Sequence, residues 1–361
     1  MTARPESASP LRAGDLVEVR SLDEILATLD ERSRLEALPF MPEMLTFVGR
    51  RFKVSARADR TCDRVARTGL RDMATTVHLE GVRCDGAFHG GCDAECLIYW
   101  KEAWLKPVST LESPASPSTP DSGSLEHAPG VEGLMAATTR PPRPDDTETL
   151  YSCQATEGLE YTTPCSASHT HSYWDDIRCG NVRWHEALRT YVIERFNEFQ
   201  QRRGGTQYPA VVGITGKTPI ETLDVQPGDL VQVRTREEIF KTIDVEGRNR
   251  GLSFDREMLM YCGGTYSVRK RVRQIIDEPT GKLIAMKRDC IILDGVICTS
   301  KYHGLCQRAI YPYWREIWLR RATGAGTGRH GSGEGSFVAF VLKNAVLMVA
   351  RRLGFGAKRG A

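Results

Sequence analysis

A seven-residue opening occurs twice in this chain. Residues 14–20 read GDLVEVR and residues 228–234 read GDLVQVR, an offset of 214. The offset persists without a gap: Glu24 matches Glu238, Phe40 matches Phe254, Glu43 matches Glu257, Met44 matches Met258, and Gly49 matches Gly263. Between 14–54 and 228–268, 18 of 41 positions are identical. The far end keeps the same offset. There Cys84, His89 and Cys92 match Cys298, His303 and Cys306, while Trp100, Glu102 and Trp104 match Trp314, Glu316 and Trp318. Self-similarity at one fixed spacing predicts a duplicated module, with copies at 14–107 and 228–321.

The material between the copies differs in kind. Residues 107–144 carry eight of the 18 prolines, among Ser, Thr, Asp and Gly. Such a composition buries too little apolar surface to offset chain entropy, so 108–148 is expected to be a disordered linker. Residues 149–227 form a middle segment. In it Trp184, Leu188, Val192, Ile193 and Phe196 recur at helical spacing ahead of Gly204-Gly205, predicting a helix over 183–202. Residues 322–335 read as a Gly-rich linker and 336–361 as a basic, apolar tail helix.

Within each copy the signals favour short strands. Val17 and Val19 alternate in the opening, and Ser21-Leu-Asp-Glu24 and Thr235-Arg-Glu-Glu238 are capping boxes ahead of short helical patterns. Gly49 and Gly263 mark turns into RRFKVSAR and GTYSVRKR, both strand-like. The Gly-Asp-hydrophobic opening followed by short strands resembles SH3-like barrels, including KOW-type modules. The GDLV-VR opening with the YW-E-WL close also resembles a family of bacterial proteins of unassigned activity. The resemblance implies a mainly β fold with some α: two tandem, divergent SH3-like small barrels with Cys-rich knuckles, joined by the linker and the helical middle segment.

The 11 cysteines carry the chemistry. In the first copy Cys62, Cys84, Cys92 and Cys96 supply four thiolates, the number that closes a tetrahedral structural zinc site; His78 and His89 are spare donors. Gly90-Gly91 would let the backbone wrap an ion. The second copy keeps Cys298, His303 and Cys306 but has Ile276 and Ile310 where Cys62 and Cys96 stand in the first. A relocated site there would draw on Cys290, Cys298 and Cys306 with Cys262 or His303; the alternative is a copy without metal. A third group, Cys153, Cys165, His169, His171 and Cys179, with His185 beyond, lies in a stretch rich in Ser and Thr, where a loop with incidental histidines is the competing reading.

Charge separates the remaining function classes. Lys+Arg is 49 and Asp+Glu is 46, a formal net charge of +3, which excludes a polycation that wraps nucleic acid by bulk charge. The second copy is locally basic, and Arg269, Lys270, Arg271 and Arg273 offer a face for nucleic acid or a partner. The fragment Gly213–Thr218 lacks the full spacing of a phosphate-binding loop. The tail adds Lys343, Arg351, Arg352, Lys358 and Arg359 around an apolar stretch too short to span a membrane, suited either to a membrane surface or to docking on its own chain or a partner, the commoner fate of such a helix. The first residues lack the apolar core of a secretory signal, so a cytoplasmic location is expected, with the tail allowing a membrane-peripheral one. No catalytic constellation stands out. The sequence therefore points to a non-catalytic binding or scaffold protein with structural zinc and a protein partner. An enzyme using the incomplete second site or Cys153, and a nucleic-acid-binding protein, are the alternatives.

Overall fold

A computed structural model describes residues 9–108, 130–141, 148–165, 170–322, 336–342 and 344. The described residues form several antiparallel sheets with few helices, a mainly β chain with some α. They divide into two compact units. The first comprises residues up to Leu188 together with Val272–Asp289 and Ile297–Tyr311; the second comprises Arg189–Arg271, Cys290–Val296 and the chain from Pro312. The stretch 228–321 thus contributes to both.

The first unit is built on a five-stranded sheet. Its order is Trp100–Lys101, Thr76–Leu79, Arg51–Arg57, Leu16–Val19, Leu105–Pro107. Leu16 lies opposite Lys53, and Val19 opposite Leu105. The two-residue period of a strand sends Val17 and Val19 inward, where both are fully buried. Ser21 then caps the helix Leu22–Leu26 with both halves of the capping box, which aims Ile25 into the core. Phe40 meets Trp100 and Trp104 edge-on at 6.3 and 5.2 Å. The Trp104 indole N–H donates to Thr28 Oγ1 at 3.0 Å, so this buried ring leaves no polar atom stranded. A half-buried carboxylate ties the start of the unit to its close. Glu102 Oε1 accepts from Leu11 N at 2.9 Å and from Arg57 Nη1 at 2.5 Å.

The second unit makes the same bonds with residues 214 positions later. Its share of the sheet runs in the order 290–293, 265–271, Leu230–Val233, Leu319–Arg321. Leu230 lies opposite Ser267, and Val233 opposite Leu319. Thr235 caps Arg236–Phe240 with a full capping box. Phe254 meets Trp314 and Trp318 edge-on, and the Trp318 indole donates to Thr242 Oγ1 at 3.1 Å. Glu316 accepts from Leu223 N at 2.9 Å, Val225 N at 3.3 Å and Arg271 Nη1 at 2.9 Å.

The connecting segments depart from expectation in part. Inside the stretch expected to be disordered, Glu132–Ala136 is helical, with Val131 and Leu134 buried in the first core. The apolar run Val131-x-x-Leu134-Met135 is short enough for the surrounding prolines to mask it in composition. Residues 109–129 and 142–147 lie outside the described residues. A helix spans Trp184–Arg202, and its buried positions include Ala187, Thr190, Ile193 and Gln200. Trp184, Leu188 and Val192, expected on its apolar face, are exposed. Of the tail, 337–342 is helical, and Phe337 and Phe340 pack on Phe196 and Tyr208. The Gly-rich 323–335 and the tail after 344 lie outside the described residues. No helix among the described residues is long and apolar enough to cross a membrane.

Candidate metal centre

Three side chains of different chemistry meet in the first unit. Glu43 lies in the 3-10 turn Pro42–Phe47, between Met41, Met44 and Leu45 of the core, so packing carries the carboxylate inside. His89 comes from the turn Gly86–Cys92. A Cβ at Gly86 would fall 2.2 Å from the Cys92 carbonyl oxygen, and the backbone there has φ +74°, so only glycine closes this turn. The Glu43 and His89 side chains are each 1% exposed. His89 Nδ1 lies 2.5 Å from Glu43 Oε1, and Nε2–H donates to the Ser152 carbonyl at 3.0 Å. Phe88 N also donates to Glu43 Oε1. The second carboxylate oxygen, Glu43 Oε2, is buried without a partner.

Cys84 completes the group. Its Sγ and one ligand atom each from Glu43 and His89 all lie within 4.8 Å of one another, a donor set that could hold a metal ion. Burial, then the charges of Glu43, Cys96 and Cys153, push the Cys84 thiol well above its ordinary pKa. A cation would release the thiol proton and relieve the crowding. The His89 Nε2–H bond to a backbone carbonyl is the outer contact that fixes the tautomer of a ligating imidazole and leaves Nδ1 for the metal.

The other expected donors have other neighbours. Cys62, Cys84, Cys92 and Cys96 do not gather in one coordination shell among the described residues. The Cys62 backbone N–H donates to Cys306 Sγ at 3.0 Å. Cys92 Sγ accepts from Ile276 N at 3.4 Å. Cys96 is pushed up to about 12, by burial first. Cys298 Sγ is 3.5 Å from Ser300 Oγ, and His303 is exposed. Cys262 and Cys290 belong to the second unit, Cys298, His303 and Cys306 to the first. There Arg315 Nη1 donates to Cys290 Sγ at 3.4 Å. Cys153 is partly buried against the first core, and desolvation pushes it up to about 11. Cys165 Sγ is 2.8 Å from Asp72 Oδ1. The Cys179 carbonyl accepts from Ala13 N, and His185 meets the Trp184 ring edge-on. His169 lies outside the described residues. His78 packs against Tyr99 and bonds the Ile98 carbonyl through Nδ1; burial lowers its pKa to about 4.

Within the first unit the two cysteine loops dock in a reciprocal pattern. Asp93 N donates to the Gln274 carbonyl at 2.9 Å, and Gln307 N to the Arg60 carbonyl at 3.2 Å. Ile276 N donates to Cys92 Sγ, and Cys62 N to Cys306 Sγ. In each case the loop of one numbered set meets the strand of the other.

The basic strand is largely committed to the framework. Arg271 is 13% exposed and donates to Glu316 at 2.9 Å and to the Val225 carbonyl at 2.6 Å. Arg269 pairs with Asp294 at 3.4 Å. Arg273 is exposed, while its backbone N–H donates to Asp93.

No protein-family model matches the chain, and no curated protein matches it. The site therefore has to be argued from its own residues. Sequence reasoning passed over Glu43 as a ligand. The signal was a carboxylate kept at the same place in both FMPEML and FDREML, where its neighbours are core residues.

Proposed function

We propose that Glu43, Cys84 and His89 hold a structural zinc ion in a non-catalytic binding protein. The observation that carries this reading is Glu43 Oε2, a buried carboxylate oxygen with no partner beside a half-buried thiol and a buried imidazole. A buried acceptor left without a partner costs about 1–3 kcal/mol, which a metal bond would relieve. The mixture of sulfur, nitrogen and oxygen donors suits zinc. Near-complete burial of Glu43 and His89 leaves no path for a substrate, which favours a structural ion over a catalytic one. Zinc at this point would pin the turn Pro42–Phe47 to the glycine-rich loop.

The binding role rests on two related modules, the reading favoured by equivalent capping boxes, indole bonds and carboxylate clasps 214 positions apart. An SH3-like ancestry fits short strands around one small core. The sequence also repeats the three ligand types at Glu257, Cys298 and His303. Exposed Trp174 and Trp184, at 65% and 66%, support a protein partner, since indoles supply much of the energy at such interfaces. Arg271, taken up by Glu316, counts against a nucleic-acid face.

Cobalt(II) titration of the chelator-treated full chain tests the centre. A thiolate-to-cobalt charge-transfer band saturating at the site, and lost in Cys84→Ser and His89→Gln, is expected. The same band persisting in both variants would overturn the assignment.

A further inference from the structure

We propose that Cys62 and Cys306 form a thiol pair oxidised by small peroxides, with Cys62 as the attacking sulfur and Cys306 as the resolving one. The two residues come from distant parts of the sequence but from the same unit. Cys62 ends the strand Arg60–Cys62 and lines a cavity with Asp63, Arg64, Arg71, Tyr161 and Arg308. Cys306 is buried behind it, 4% exposed. The Cys62 backbone N–H reaches Cys306 Sγ at 3.0 Å, so the Cys306 sulfur lies against Cys62. An outside reagent therefore meets Cys62 first, and the sulfur next to it is Cys306.

The surroundings favour a thiolate at the cavity. Arg308 is buried and donates to the Cys62 carbonyl at 3.2 Å and to Glu278 at 2.7 Å. Arg64 approaches the same Glu278 at 3.6 Å. Two guanidinium groups thus share one carboxylate, which leaves positive charge beside the sulfur. The hydrogen bond from Cys306, then the charges of Arg308, Arg64 and His303, lower Cys62 to about 6 against the opposing effect of burial. Cys306 moves the other way, because a second thiolate would lie buried beside the first. These groups together favour negative charge on the cavity-lining sulfur, Cys62, over Cys306.

The chemistry balances with a peroxide as two-electron oxidant. The Cys62 thiolate attacks one peroxide oxygen; the S–O bond forms, the O–O bond breaks, and the departing hydroxide takes a proton to become water. The Cys306 sulfur then attacks the sulfenic sulfur of Cys62. The S–S bond forms, the S–O bond breaks, and hydroxide leaves with the Cys306 proton as a second water. The cavity has about 10 Å³ of room, the scale of a single water, so it favours the smallest oxidants over a bulky disulfide. Metal binding at Glu43 and Cys84 plays no part in this reaction.

The test treats the reduced full chain with limiting hydrogen peroxide, blocks remaining thiols, and maps linked peptides by mass spectrometry. A Cys62–Cys306 peptide as the main product, with a loss of about 2 Da from the intact chain, is expected. Cys306→Ser should instead accumulate a dimedone-trapped sulfenic acid at Cys62, and Cys62→Ser should form neither. The wild-type map stands even where a variant fails to fold. Oxidation spread evenly over Cys165 and Cys179 would overturn the proposal. So would linkage that appears only after zinc is chelated, or glutathione disulfide reacting as fast as peroxide.

Discussion

Replacing Glu316 with alanine should destabilise the second unit by about 3 kcal/mol, the lower end of the range for breaking a buried ion pair. The figure follows from what the carboxylate holds. Glu316 is 8% exposed and accepts from Leu223 N, Val225 N and Arg271 Nη1. Alanine strands two backbone donors and leaves a guanidinium with reduced compensation. Arg271 keeps the Val225 carbonyl, and exposed Asp224 lies 3.7 Å away, so the loss stays short of the upper limit. Glu316→Gln retains an acceptor without the charge and should lose about half as much. Arg269→Ala, at a surface pair, should change stability by less than about 0.5 kcal/mol. Urea unfolding followed by circular dichroism gives all three values. A loss under about 1 kcal/mol for Glu316→Ala, or an equal loss for Arg269→Ala, would refute the assignment of Arg271 to the framework.

Two further predictions concern titration. His78 is neutral in the fold, with its pKa lowered from 6.5 to about 4 chiefly by burial, whereas the unfolded chain takes up a proton near 6.5. Its contribution is complete above that value and is lost as pH falls, about 2 kcal/mol by pH 5; stability measured at pH 7 and pH 5 should converge in His78→Gln relative to the parent. Cys62 should show an alkylation midpoint near pH 6, set by Cys306, Arg308, Arg64 and His303 around it. Site-resolved labelling with iodoacetamide from pH 5 to 9 measures it, and a midpoint near the ordinary thiol value of about 8.5 would contradict the geometry.

The framework was legible in the sequence where local rules act. The capping boxes at Ser21 and Thr235, the alternating valines of the opening, and the buried Trp100, Trp104, Trp314 and Trp318 each follow from periodicity or from matched positions in the chain. What local rules cannot reach is long-range pairing. Cys62 was grouped with Cys84, Cys92 and Cys96 because they share one module, yet its bonding partner is Cys306, 244 residues away. Arg271 read as a surface cation because strand alternation places it with Arg269 and Arg273; its carboxylate lies 45 positions on. Helical spacing placed Trp184, Leu188 and Val192 on a buried face, but period alone does not say which face the fold covers.

Metal content tests the central claim most directly. The full chain, purified under reducing conditions without added metal, would be analysed for all elements beside the Glu43→Gln and Cys84→Ser variants. Zinc near one equivalent or more per chain, falling by one equivalent in each variant, is the expected result. Zinc unchanged by both substitutions, or no bound metal in folded protein, would contradict the account and leave Glu43 Oε2 as a buried oxygen without a partner.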